Sequence, residues 1–229
     1  MRFILTIVIN SFCLIGFSQI QTDIKNNANK PFIKIDNELF DNQNNSSIYI
    51  TKQIPNGYSW TIISKLGSIL QVAESKYGER DKSFTILGIE ITTNDIPQIW
   101  YPDSGKNIII QITMDCLNDM NKAVYEVAHE TIHCLFPAIG QKASCLEEGL
   151  AVHFATEYTQ NYGHGSWFPN SPKYDNALKL IKQLFAIDAD IIKKLRQRQP
   201  IISPATKELL MDINPNIPDS LAIELTKKF

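Results

Sequence analysis

His129, Glu130 and His133 form an HExxH pattern, and residues of these types at this spacing can hold a metal ion and move a proton beside it. On a helix of about 3.6 residues per turn, histidines four apart lie about 40° apart around the axis and roughly 6 Å along it, so both imidazoles can grip one ion. Glu130 points about 100° away from His129, which removes it from the ligand set. It faces instead the water that fills an open position on the ion, where a general base is needed. The ion this chemistry suggests is Zn2+. The competing reading of the same residues is two buried histidines flanked by a surface glutamate.

The motif needs a helix and a third ligand. Val124, Val127, Ala128, Thr131, Ile132 and Leu135 keep a helical apolar spacing around it, and Pro137 is placed to stop that helix. Downstream, a second helix is expected from about Leu146 to Tyr158, with Glu147 and Glu148 in its first turn, where the helix dipole also favours carboxylates. Neighbours on a helix diverge by about 100°, so one of the two faces the ion. Glu148 shares its face with Ala151, Val152 and Ala155, small enough with Gly149 for close packing on the motif helix, whereas Glu147 stacks toward Leu150 and Phe154. This favours Glu148 mildly and leaves Glu147 open.

HExxH followed by Glu148, Gly149, Leu150 and Ala151 resembles the gluzincin metallopeptidases, whose second motif reads Glu-Gly-aromatic-or-Leu-Ala. The resemblance spans roughly residues 107 to 158. It implies Glu148 as third ligand beside His129 and His133, a zincin-like fold and hydrolysis of peptide bonds. Three features depart from the pattern: a short gap between His133 and Glu148, Glu147 where many relatives carry asparagine, and Val152 where some carry an aspartate that supports a histidine ligand. No carboxylate that orients the histidines is identified.

Upstream, Asn107 to Thr113 is a β-branched run that reads as a strand. The resemblance implies an edge strand that aligns substrate; the isoleucines themselves suit an interior strand. Between Tyr158 and Tyr174 lies a glycine-containing aromatic loop. His164 is its candidate for stabilising the transition state, with Tyr158, Tyr162 and Tyr174 as alternatives. His153, five after Glu148, is expected to face away from the ion.

The remaining chain sets the frame. Met1 and Arg2 precede an apolar stretch to Phe17, which reads as a leader of residues 1–18 and predicts a secreted or periplasmic protein. Residues 19–46 read as a flexible or strand-bearing segment, with a possible strand at Phe32 to Phe40. Residues 47–229 form a zincin-like domain, an α+β lobe to residue 137 and a mainly helical lobe beyond it. In the first lobe, a strand at Ser47 to Gln53, an amphipathic helix through Leu66, Leu70, Ala73 and Tyr77, and a strand at Phe84 to Thr92 form one unit. In the second, Ala177 to Phe185 and Asp190 to Gln197 are helical, with two short helices after them. A net charge of −2 with no basic cluster beyond Lys193 to Arg198 excludes nucleic acid as the natural partner, and that stretch reads as a solvated helix face. Cys134 and Cys145 bracket the loop between the ligand helices, as a disulfide or as buried thiols. The expectation is an exported zinc-dependent peptidase acting on peptide or protein substrates. The alternatives are a noncatalytic zinc-stabilised binding module and a hydrolase of cell-wall amides.

Overall fold

The motif helix forms because its start, its interior and its stop each favour it. Asp119 caps it by accepting from the backbone N–H groups of Asn121 and Lys122, and every residue from Ala123 to Leu135 is buried. This helix, Met120–Leu135, is α2 of a computed structural model that describes residues 51–54, 57–102 and 105–229, with side chains from residue 61 onward. The leader, the 19–46 segment, the Phe32 to Phe40 strand and residues 47–50 lie outside the described residues.

The described chain is α+β. Strands β1 (Thr51–Ile54) and β2 (Gly57–Thr61) pair with each other. Helix α1 (Ile62–Tyr77) follows, opened by a capping box between Thr61 and Ser64. Then come β3 (Thr85–Thr92), β4 (Gln98–Trp100), β5 (Asn107–Thr113), a 3-10 turn at Met114–Leu117 and α2. Beyond α2 the described elements are all helical: α3 (Cys145–Asn161), α4 (Pro172–Ile187), α5 (Ile191–Arg198), α6 (Lys207–Ile213) and α7 (Asp219–Thr226). No helix among the described residues is long and apolar enough to cross a membrane.

The main sheet has the order β3-β5-β4, with β3 parallel and β4 antiparallel to β5. β5 is therefore the middle strand, which overturns an edge role for it and hands the edge beside α2 to β4. Its side chains alternate as a pleat requires. Ile108, Ile110 and Ile112 are fully buried, while Ile109 and Gln111 are half-buried on the other face, so the isoleucine run is not buried equally on both sides. On that second face Gln98 donates to Gln111, and Gln111 donates to Glu90, forming a polar row across all three strands.

α2 packs against β5, α1 and α3, and one hydrophobic cluster runs from Ile62 to Leu225. Two polar locks hold its ends. Near its start, Glu126 accepts from the backbone N–H and hydroxyl of Thr113, each at 2.7 Å, which ties the helix to the end of β5. At its finish, Arg196 donates to the carbonyls of Leu135, Tyr77, Gly78 and Glu79. The guanidinium thereby satisfies carbonyls at the C-terminal ends of α1 and α2, groups that have no partner within their own helices. The Lys193 to Arg198 stretch is thus not a wholly solvated face: Arg196 turns inward.

Gly149 also departs from expectation. A Cβ there would lie 2.6 Å from the carbonyl oxygen of Ala177, so the missing side chain allows the close approach of α3 to α4 rather than to α2.

Candidate metal centre

Two helices bring the centre together. α2 presents His129 and His133 one turn apart, with ring centroids 5.2 Å apart. Ser144 caps α3 by accepting from the N–H of Glu147, fixing the turn that carries both candidate carboxylates. Glu148 then reaches across. Its Oε2 lies 3.2 Å from His129 Nε2 and its Oε1 3.7 Å from His133 Nε2. One ligand atom from each of His129, His133 and Glu148 falls within 4.8 Å of the others. Ligands around a tetrahedral zinc, with bonds of about 2.0–2.2 Å, stand roughly 3.3 Å apart, so the cluster needs little closing to fit such an ion.

Hydrogen bonding supports the fit. Glu148 Oε2 approaches His129 without the alignment of a hydrogen bond and is buried with no hydrogen-bond partner. A buried carboxylate oxygen left this way is costly unless a cation satisfies it. Glu147, the other candidate, plays a different part, with its Oε1 2.6 Å from His133 Nδ1. With the proton on Nδ1 donated to Glu147, Nε2 is left as the lone-pair donor, which is how an outer carboxylate orients a metal-binding histidine. Sequence alone does not reveal this partner, because it depends on side-chain rotamers at the helix start. Spacing narrows the third ligand to Glu147 or Glu148 and says nothing of what the other one does.

Charge follows the same geometry. Burial alone would lower the pKa of His133, but the neighbouring Glu148 and the hydrogen bond to Glu147 outweigh it and raise it to about 10. Burial pushes the Glu148 carboxyl up, yet His133 and His129 hold it below the usual carboxylate range. The buried carboxylates thus demand positive charge, which the imidazolium supplies in the metal-free chain. Glu130 differs. Its carboxyl is raised above the usual range because burial outweighs the attraction of His133 and His129.

Aromatic side chains close one flank. The Tyr174 ring stands edge-on to His129 with centroids 5.8 Å apart, and Tyr125 lies at 6.4 Å from the same histidine. Trp167 packs on Tyr125 at 4.7 Å. The Tyr174 hydroxyl is pushed up by burial and further by the charges of Glu148 and Glu130. Tyr125, four residues before His129, shares its helical face; spacing alone places it there, although it is absent from the candidates drawn from the sequence.

His164 sits in the loop after α3, where its backbone N–H donates to Thr159. That loop crosses the first turns of α2: Gly165 lies against Asn121, and Trp167 against Lys122 and Tyr125. Of the loop's candidates, Tyr174 brings its ring against His129 of the cluster. Tyr158 and Tyr162 stack on each other at 4.5 Å, with Lys65 near both rings. His153 packs on Phe185 and lies 3.9 Å from Glu157, turned away as its spacing implies. Cys134 and Cys145 are unbonded thiols. No protein-family model, curated protein or solved structure matches the chain.

Proposed function

We propose that the chain is an exported, zinc-dependent peptidase of the gluzincin type. The observation that carries this reading is the convergence of His129, His133 and Glu148 on one point beside a buried glutamate, Glu130, that is not one of the three. Zinc held there by the two Nε2 atoms and the Glu148 carboxylate would polarise a carbonyl and bring the pKa of water toward about 7.

The chain's own residues supply the rest. Glu130 takes the proton from the attacking water and delivers it to the leaving amine, acting as base and then acid. Its raised proton affinity suits the interval between those steps. Glu147 holds the His133 ring in its binding tautomer. Tyr174, rather than His164, donates a hydrogen bond to the carbonyl oxygen as charge develops on it, a role supported by the contact of its ring with His129. β4, antiparallel to β5, next to α2 and at the edge of the sheet among the described residues, offers main-chain groups to an extended substrate. This mixed sheet with an antiparallel edge beside the motif helix supports a zincin-like arrangement.

A closed structural zinc site would require a fourth protein ligand. Among the described residues the ligand cluster contains three, and His153 is engaged elsewhere, which favours an open site over a noncatalytic module. The test is cleavage of a mixed peptide library by the zinc-loaded protein, read by mass spectrometry, with a cell-wall amide substrate in parallel. The expected outcome is peptide cleavage that a zinc chelator abolishes and added zinc restores. Cleavage that survives chelation, or cleavage of the cell-wall amide alone, contradicts the reading.

A further inference from the structure

We propose that Phe229 is a positioning residue that holds the Tyr174 ring against His129, so that the segment entering α3 and the ring beside that histidine are fastened by one strap. The geometry stands on its own; its catalytic meaning rests on the peptidase reading above. The Phe229 ring lies 5.0 Å from the Tyr174 ring at an interplanar angle of 38°, and Tyr174 in turn meets His129 at 88°. Tyr174 thus contacts both an aromatic ring and an imidazole.

Support for the ring is needed because of where it stands. Tyr174 occupies the first turn of α4, half-buried, and a side chain in such a place has more than one staggered rotamer open to it. The rotamer that meets His129 is selected when a second surface closes behind the ring. Phe229 provides that surface, and Lys173 Nζ lies 5.7 Å from the Phe229 ring.

The strap itself is well fastened. Lys228 forms an antiparallel bridge with Ser144, the N–H of Cys145 donates to Lys227, and the N–H of Phe229 donates to Ala143. Lys228 Nζ also donates to the Lys142 carbonyl at 2.8 Å. Ser144 is buried, and its N–H donates to Ser203 Oγ. Residues 142–145 lead directly into the first turn of α3, which carries Glu147 and Glu148. Phe229 is therefore fixed to the same backbone that places the third ligand, and through its ring it sets the distance from that backbone to Tyr174.

The test has one arm without metal and one with it. In the zinc-free protein, ring-to-ring nuclear Overhauser contacts between Tyr174 and His129 should be present in the wild type, lost in Phe229→Ala and regained in Phe229→Tyr. Should Phe229→Ala fail to fold, Phe229→Leu, which keeps bulk without an aromatic face, gives the same comparison. In the zinc-loaded protein, Phe229→Ala should lower kcat about tenfold with KM little changed, since a misplacement near 1 Å is enough for such losses. In a Tyr174→Phe background the same substitution should cost nothing further. Contacts that persist in Phe229→Ala, or that stay lost in Phe229→Tyr, overturn the proposal, as does a kcat loss that is undiminished without the Tyr174 hydroxyl. If the protein hydrolyses no peptide, the peptidase reading fails while the contact measurement still decides the role of Phe229.

Discussion

Glu126 on α2 and Glu148 on α3 are buried or nearly buried carboxylates, and their oxygens are satisfied in opposite ways. Glu126 accepts from the Thr113 N–H, the Thr113 hydroxyl and the Cys116 thiol, with Lys122 Nζ at 3.7 Å. Its lone pairs are spent on neighbours that belong to the fold. Glu148 faces two histidines, and one of its oxygens has no hydrogen bond. Burial of a charge is common to both; an unspent lone pair aimed at other ligand atoms is not. That contrast separates a carboxylate that builds the scaffold from the one that, on the reading proposed above, would receive a cation.

The strongest way to break the contrast is to exchange the consequences of the two residues. Glu148→Gln should weaken zinc binding by more than about a hundredfold, beyond the usual loss for an outer partner, in a competitive chelator titration. At neutral pH the metal-free chain should lose only the modest stability that pairing with His133 and His129 gives the Glu148 carboxylate, less than Glu126→Ala loses. Glu126→Ala should do the reverse. Leaving the Thr113 donors unpaired costs roughly 3 kcal/mol, a fall on the order of 10 °C in Tm for a chain of this size, with zinc stoichiometry per folded chain unchanged. If Glu126→Ala instead emptied the chain of zinc, or Glu148→Gln unfolded it, the division of roles would fail.

Glu147→Gln sharpens the comparison, since Glu147 lies between the two cases: one oxygen bonds His133 and the other has no partner. A loss of about 10- to 100-fold in zinc affinity is expected, as for outer carboxylates elsewhere, and titration calorimetry on the refolded variant would read it. The smallest effect is expected at Gly149. A Cβ 2.6 Å from the Ala177 carbonyl forces α3 and α4 apart, so Gly149→Ala should cost about 1–3 kcal/mol of stability, measured by denaturant unfolding, with Glu147→Gln-like losses in zinc affinity absent.

How legible the molecule was in its sequence depended on range. α2 and α3 could be read because their signals are local: an apolar period, a capping residue and a proline stop. The expected helix bounds near Leu146 and Tyr158 fall within one and three residues of the observed Cys145 and Asn161. β4 was not read, since three residues, Gln98, Ile99 and Trp100, are too few to show alternation. Missing it also left β5 open to an edge role, for strand order is set by partners distant in sequence. Arg196 illustrates the same limit. Its place in a basic stretch suggested solvent, yet carbonyls more than a hundred residues away draw it inward. Among the site residues, His129, Glu130 and His133 followed from spacing, and Glu148 from spacing with the resemblance. Glu147 meets His133 and Phe229 meets Tyr174 through contacts that no local pattern records.

The central claim is that a metal held by three side chains works with a fourth, Glu130, that moves the proton. Its most direct test measures zinc content and peptide cleavage together in the wild type and in Glu130→Gln. One zinc per chain in both proteins, with cleavage in the wild type alone, is the predicted result. Equal cleavage by the two proteins at matched zinc content would contradict the account.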